Sequence, residues 1–200
     1  MTIAEHPAAR AMTAQEWADL DEDEPGELVD GVLEEEEMPT VLHEGVLHWI
    51  LVHLSNWVGP LGGEVFGSEL KLRVGERGGR KPDASVYLPG RTLPAALVGA
   101  TKRPPSLVIE VYSPRPRDVR RDRIDKAADY SAFGIVYYWQ VDPLVHTLEI
   151  FELHEGGPHS QLLLASEGVH AIPGCEGLVL DLDALWAKAD RYLAVKDEDD

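Results

Sequence analysis

Three closely spaced motifs decide the fold of this chain: RKPDASVY at residues 80–87, SLVIEVYSP at 106–114 and DRIDKAADY at 122–130. The first two motifs predict strands, and each carries one carboxylate, Asp83 or Glu110. Glu110 lies inside an uninterrupted apolar run, where losing its hydration is costly unless a cation or strong donors replace the water. A metal ion would meet that need, and it would require a second carboxylate nearby.

The third motif predicts a helix behind these strands, from residue 116 to 133, which Gly134 ends. Lys126 lies in this helix, with Asp122 one turn before it and Tyr130 one turn after it, so the three residues share one face. The apolar residues that we expect to face the core are Val119, Ile124, Ala127, Ala128 and Phe133.

Length and composition bound the class of protein. The chain has 200 residues, of which 44% are hydrophobic, and this size suits one domain with a real core. We expect residues 1–12 to be a flexible amino terminus, residues 13–192 to be that single domain and residues 193–200 to be an acidic tail. Without an apolar run of ~18 residues or a signal peptide, the sequence predicts a soluble, cytoplasmic protein with no membrane partner. A single cysteine, Cys175, excludes both an internal disulfide and a cysteine-cluster zinc site.

Charge is distributed unevenly along the chain. The 18 Lys and Arg and 36 Asp and Glu give a net charge of −18, and so acidic an average argues against a nucleic-acid partner. Residues 71–126 nevertheless hold 14 of the cations and 6 of the acids, so this basic block carries 14 minus 6, or +8, and the remainder 4 minus 30, or −26. Chance and a solvated helix face would explain such a block, but its coincidence with the paired acids favours an anionic partner.

The other elements follow from periodicity and turn chemistry. Thr13 and Glu16 form a capping box before a short helix, and ELVDG at residues 27–31 predicts a tight hairpin. Apolar spacing from Thr40 to Val58 predicts a long helix. Further strands are predicted at residues 64–74, 83–88, 106–112, 135–141, 146–152, 161–165 and 177–180, with a surface connection at 89–105 and a last helix at 183–192. This succession indicates an α/β fold with one mixed central sheet flanked by helices.

The long helix carries His43, His48 and His53, which invites a metal hypothesis. Five residues turn a helix by about 140° off the starting face, and ten residues span roughly 15 Å along its axis, so no two of these histidines can share an ion. Only His43, at the helix start, could face a site.

The paired acids predict a particular chemistry. Two carboxylates without cysteines or paired histidines are hard oxygen ligands, which suit Mg²⁺ or Mn²⁺. Such an ion can polarise a phosphoryl oxygen and activate water, and Lys126 would supply further positive charge. Each signal alone has an ordinary structural explanation, a turn, an ion pair or a solvated lysine, so the prediction depends on their combination. The candidate phosphate-binding residues around the third motif are Arg115, Arg117, Arg120, Arg121 and Arg123.

These motifs together resemble one known family. The string ELVDG, a histidine at the start of the first long helix, and KPDASVY, LVIEVYSP, DRIDKAADY and GIVYYWQVDP are similar to those of the Uma-two family of the PD-(D/E)XK, or restriction endonuclease-like, superfamily. The likeness covers roughly Thr13 to Trp186. It implies a restriction endonuclease-like core, DNA as the substrate and divalent-metal chemistry. By analogy with folds that pair to address two strands, it also suggests a homodimer.

The resemblance also assigns residues. It implies that Asp83 and Glu110 are the metal-binding acids and that Glu27 of ELVDG is an additional acid. The superfamily pattern expects a lysine two residues after the second acid, where this chain has Tyr112. In the Uma-two pattern that lysine is displaced to the following helix, where Lys126 lies.

Three functions are compatible with these observations. The first is a metal-dependent endonuclease that hydrolyses DNA. The second is a catalytically inactive domain that binds nucleic acid or a protein partner on the same scaffold, and the third is a regulatory or structural protein whose acidic exterior meets a basic partner. The carboxylates discriminate between the first two, because only a nuclease needs them for cleavage.

Overall fold

The computed structural model describes residues 11–20, 26–34, 38–96, 99–112, 119–154 and 157–195, except for the side chains of residues 119–122. The helices are α1 Ala14–Ala18, α2 Val41–Val58, α3 Val119–Phe133 and α4 Leu182–Leu193, with a 3-10 turn at Gly59–Leu61. The strands are β1 Glu27–Val29, β2 Val32–Glu34, β3 Glu64–Phe66, β4 Lys71–Leu72, β5 Ala84–Tyr87, β6 Ala100–Thr101, β7 Leu107–Val111, β8 Tyr137–Asp142, β9 Thr147–Leu153, β10 His159–Ala165, β11 Val169–Ala171 and β12 Val179–Asp181.

Six strands form the central sheet, in the order β10-β9-β8-β7-β5-β3. Strands β7 and β8 are parallel and the other neighbours are antiparallel. A parallel pair needs a crossover connection, and α3 supplies it between β7 and β8. The predicted mixed α/β sheet flanked by helices is therefore confirmed.

Local signals placed several boundaries correctly. Thr13 and Glu16 form the predicted capping box of α1, and Thr40 caps α2. The hairpin turn has positive φ at both Asp30 (50°) and Gly31 (85°), as the two-residue turn between twisted strands requires. None of the helices in the described ranges has the length and apolar character needed to cross a membrane.

Two predicted segments differ from the structure. The single strand expected at residues 64–74 is two strands in different sheets: β3 lies at the edge of the central sheet, whereas β4 pairs with β6. A turn in which the amide of Leu70 donates to the carbonyl of Gly67 separates them. The expected surface connection at residues 89–105 contributes β6, which is too short to produce a periodic pattern.

Alternation along β7 sorts its side chains onto two faces of the sheet. Leu107, Ile109 and Val111 join the larger hydrophobic core, which α2 and α4 cover. Val108 points the other way and joins a smaller cluster next to α3. Because side chains alternate along a strand, Glu110 lies on the α3 face although its immediate neighbours are apolar.

Helix α3 presents only some of its predicted apolar residues to the sheet, where Ala127 and Phe133 pack against the smaller cluster. Ile124, expected in the core, is 58% exposed, and Ala128 is exposed as well. Both lie two positions from Lys126, which is about 200° around a helix. Since Lys126 and Tyr130 face the sheet, Ile124 and Ala128 must face solvent.

Candidate active site

Strands β5 and β7 bring the two predicted acids together. The antiparallel register pairs Ala84 with Ile109, so Asp83, one residue earlier, comes opposite Glu110, one residue later. Asp83 Oδ2 accepts a hydrogen bond from the backbone amide of Val111 at 2.7 Å. None of the hydrogen bonds or ion pairs described for Asp83 and Glu110 is to an arginine. A structural ion pair with arginine therefore does not explain the position of either acid.

Helix α3 supplies the described side-chain partners of Glu110. Lys126 Nζ donates to Glu110 Oε2 at 2.9 Å, and the Tyr130 hydroxyl donates a short hydrogen bond to Glu110 Oε1. The predicted placement of Lys126 and Tyr130 on one helix face is thus confirmed. The displaced lysine reaches the second acid.

The electrostatic environment of Glu110 is unusual. Burial raises the pKa of its carboxyl group, Lys126 opposes that rise, and the charges of Asp83 and Glu27 add to it, so that the pKa lies at about 8. Three carboxylates therefore share this region with the ammonium group of Lys126. An added cation would relieve their repulsion.

Glu27, at the start of β1, is brought to the same place by the hairpin. Its Oε1 accepts from the backbone amide of Lys81 at 2.8 Å and lies 3.6 Å from Lys126 Nζ. Its Oε2 accepts from Arg80 Nη1 at 2.8 Å. The hairpin thus ties the additional acid to the segment that precedes Asp83.

Arg80 is a buried residue of the site whose role the sequence did not predict. It is 2% exposed, and its Nε donates to Asp129 Oδ2 on α3 at 2.7 Å. Burial lowers the pKa of Arg80, but the carboxylates of Glu27 and Asp129 raise this pKa above its usual value. Arg80 therefore links the hairpin, the segment before Asp83 and α3. Its position three residues before a candidate metal ligand was the available signal, but nothing in the sequence marks it as buried.

His43 is the histidine of α2 that faces the site, as its position predicted. Its Nε2 lies 3.2 Å from Asp83 Oδ2. Burial lowers the pKa of His43, but the hydrogen bond and charge of Asp83, with Glu44, raise it above the usual value. His48 is exposed, and His53 bonds the carbonyl of Trp49 through Nδ1 at 2.8 Å.

The predicted phosphate-binding arginines are only partly described. Arg115 and Arg117 lie outside the described residues, and Arg120, Arg121 and Asp122 belong to α3 with side chains that are not described. Arg123 is engaged within the fold, because its Nη2 pairs with Asp142 Oδ2 at 3.1 Å and its guanidinium lies 3.8 Å from the ring centre of Tyr112. A phosphate-binding role for these arginines remains a prediction.

Tyr112 occupies the position where the superfamily pattern has lysine. Its hydroxyl lies 3.4 Å from that of Tyr138, and burial raises its pKa above the usual range. Tyr112 thus stays a neutral aromatic residue under Arg123. The ammonium group at this site comes from Lys126 instead.

The residues present fit a divalent cation by their chemistry. Across the described residues, no group of three or more His, Cys, Asp and Glu side chains is arranged to hold a metal ion. A Mg²⁺ site does not need three such side chains, because Mg²⁺ is commonly bound by one or two carboxylates and retains several waters. Asp83 and Glu110 supply carboxylate oxygens, which are hard ligands. The raised pKa of Glu110 shows that the neighbouring cations do not fully compensate its negative charge.

Comparison with known proteins places this arrangement in a class. The sequence profile of the Uma2 family, described as "Putative restriction endonuclease", matches residues 13–186. The fold resembles a crystal structure described as "a putative nuclease belonging to DUF820" from Anabaena variabilis, with a TM-score of 0.73 and 19% identity over 89% of this chain and 99% of that one. No curated protein gives a significant match. The fold is thus nuclease-like, and the chain belongs to the Uma2 family.

Proposed function

We propose that this protein is a metal-dependent endonuclease that hydrolyses DNA phosphodiester bonds at Asp83, Glu110 and Lys126. The observation that carries the proposal is that Asp83, directly before β5, lies opposite Glu110 on β7, with Lys126 Nζ 2.9 Å from Glu110 Oε2. Membership of a family described as "Putative restriction endonuclease" supports a nucleic-acid substrate.

Each residue has a distinct task in this proposal. Asp83 and Glu110 would hold Mg²⁺ or Mn²⁺, which supplies Lewis acidity and a more acidic bound water. Lys126 stabilises negative charge that develops on the phosphoryl oxygens.

The surrounding groups hold these residues in place. Tyr130 and His43 orient the carboxylates of Glu110 and Asp83 by hydrogen bonds, and Glu27 Oε1 lies 3.6 Å from Lys126 Nζ, where it helps to hold the ammonium group. Because Glu27 is paired with Arg80, we assign it to positioning rather than to metal binding.

Nicking of supercoiled plasmid in a magnesium titration tests the proposal. The wild-type protein should nick the plasmid in Mg²⁺ and not in EDTA. The variants Asp83→Asn, Glu110→Gln and Lys126→Met should each lower the rate by at least about 100-fold, the lower range for losing a group that acts on transition-state charge. Glu64→Gln, which alters an exposed acid on β3, is the matched control and should keep the wild-type rate.

The alternative function gives a different result in the same experiment. A catalytically inactive domain would bind DNA with a salt-sensitive affinity but would nick no plasmid with any divalent ion. A regulatory protein with a basic partner would show no DNA affinity even at low salt. Either result would reject the nuclease proposal.

A further inference from the structure

A third oxygen-bearing side chain lies in line with the two acids of the candidate active site. Strand β8 pairs with β7 in parallel, and the register sets Gln140 opposite Glu110. Asp83 comes opposite Glu110 from the other side, by the register of β5 and β7. Asp83, Glu110 and Gln140 therefore form a row from the start of β5 to β8, with Glu110 in the middle.

Gln140 belongs to the same face of the sheet as Glu110. Along β8, Tyr138 joins the smaller cluster next to α3, and Trp139 joins the larger core on the opposite face. Because side chains alternate along a strand, Gln140 returns to the α3 face. This face also carries Lys126, the partner of Glu110.

The side-chain amide of Gln140 is buried without a protein partner. The residue is 7% exposed, and none of the described residues forms a hydrogen bond with the amide. Its atoms are nevertheless not among the completely inaccessible unpaired atoms of the described ranges, so a water molecule can reach them. A buried amide is costly to leave unpaired, and such a group in a native structure calls for a partner outside the protein.

The neighbour of Gln140 on its other side does not supply that partner. Glu149 of β9 lies opposite Gln140 on the same face. Its Oε2 accepts a hydrogen bond from Gln161 Nε2 of β10 at 2.9 Å, on the side of β9 that faces away from β8. The amide of Gln140 is therefore available to the candidate active site.

A divalent ion at the two acids would bring hydration water to this row. Mg²⁺ retains several waters when one or two carboxylates bind it. Gln140 flanks Glu110 on the side away from Asp83, so its amide is placed to meet the hydration shell of such an ion rather than the ion itself. The oxygen of the amide is a hydrogen-bond acceptor, which suits a water molecule that a cation polarises.

We propose that the side-chain oxygen of Gln140 accepts a hydrogen bond from a water molecule of the divalent ion, and that Gln140 is thereby a positioning residue of the candidate active site. This inference rests on the proposed function, because it needs an ion at Asp83 and Glu110. Groups that act from outside the direct ligands typically change metal affinity by about 10–100-fold.

Mn²⁺ binding, measured by electron paramagnetic resonance, tests the inference. We expect Gln140→Leu, which removes the amide from a side chain of similar size, to weaken Mn²⁺ binding at least about tenfold. Gln140→Glu keeps an acceptor oxygen and adds a negative charge, so it should bind Mn²⁺ at least as tightly as wild type. Weaker binding by Gln140→Glu would overturn the assignment of Gln140 as an acceptor.

The matched control is Gln161→Leu, the same change on the same face of the sheet. Gln161 is exposed on β10 and pairs with Phe151 of the smaller cluster. This variant should keep the wild-type affinity for Mn²⁺. Equal losses in Gln140→Leu and Gln161→Leu would overturn the inference, because they would not depend on proximity to Glu110.

Urea unfolding in EDTA separates a positioning role from a structural one. Since the amide of Gln140 has no partner in the described fold, Gln140→Leu should leave the free energy of unfolding unchanged or raise it. A loss of stability in EDTA would show that the amide supports the fold itself, and it would overturn the inference.

The same measurements distinguish this inference from the proposed function. If wild-type protein nicks plasmid in Mg²⁺ and Gln140→Leu binds Mn²⁺ as tightly as wild type, Gln140 has no part in the site and the nuclease function stands. Wild-type protein that binds no Mn²⁺ and nicks no plasmid would overturn both.

Discussion

The two faces of the central sheet carry chemically different side chains. On the face covered by α2 and α4, the buried residues form one large apolar cluster. On the face covered by α3, a small aromatic and aliphatic cluster adjoins the charged groups of Glu27, Arg80, Glu110 and Lys126. The same strands contribute to both faces, because their side chains alternate.

The apolar face supplies the stability of the fold, and it thereby allows the other face to hold buried charged groups whose desolvation is unfavourable. Removing carboxylates from water is unfavourable unless each is paired or hydrogen-bonded. Glu27 is fully paired, whereas Glu110 keeps a pKa of about 8 because its partners compensate its charge incompletely. We therefore expect changes to the two faces to have different consequences.

The largest expected loss of stability comes from Arg80→Met on the charged face. This change leaves the carboxylates of Glu27 and Asp129 without their arginine, and breaking a buried ion pair from one side typically costs about 3–5 kcal/mol. Urea unfolding should show a loss of that size. Adding Glu27→Gln should recover part of it, and a harmless Arg80→Met would mean that this network contributes nothing to the fold.

A core truncation on the apolar face is next in size. Leu54 on α2 is fully buried, so Leu54→Ala should cost about 2–5 kcal/mol through lost burial and the cavity left behind. The matched control is Val52→Ala, on the exposed side of the same helix. If the two changes cost the same in urea unfolding, the apolar face is not packed as described.

The raised pKa of Glu110 predicts how stability depends on pH. In the metal-free protein the folded state holds this proton up to about pH 8, whereas an unfolded glutamate loses it near pH 4.3. Stability from this group is complete below the unfolded pKa and is lost as the pH rises toward the folded pKa, at up to about 1.4 kcal/mol per pH unit. Thermal melts of wild type and Glu110→Gln in EDTA across this range should differ in slope, and parallel curves would contradict the shift.

The smallest expected effect is that of Glu110→Gln itself at neutral pH without metal. Glutamine resembles the protonated carboxyl group that Glu110 carries at this pH with a pKa of about 8, so the free energy of unfolding should change by less than about 1.5 kcal/mol, the usual bound for a volume-conserving substitution. A large loss in urea unfolding would show instead that Glu110 stabilises the fold as an ion-pair partner of Lys126.

The sequence predicted the parts of the fold that have a local cause. Caps, the Asp30–Gly31 turn and the periodicity of α2 are properties of neighbouring residues, and all are found in the structure. Strand β6 and the break between β3 and β4 depend on pairing between distant segments. Local patterns carry no information on such pairing.

In the candidate active site, too, the features with a local cause were predicted and those that depend on distant contacts were not. A carboxylate in an apolar run marked Glu110, and helix spacing placed Lys126 and Tyr130 on its side. The burial of Arg80 could not be predicted, because it results from the meeting of the hairpin, the segment before β5 and α3. The outward position of Ile124 was missed for a related reason: Lys126, which hydrogen-bonds Glu110, shares the inner face of α3 with Ala127, Tyr130 and Phe133.

Titration with Mn²⁺, followed by electron paramagnetic resonance, tests most directly whether Asp83 and Glu110 meet at one ion. We predict saturable binding to the wild-type protein, lost in both Asp83→Asn and Glu110→Gln and retained in Glu64→Gln. Wild-type protein that binds no Mn²⁺, or a Glu110→Gln variant that binds it as tightly as wild type, would contradict the shared metal site.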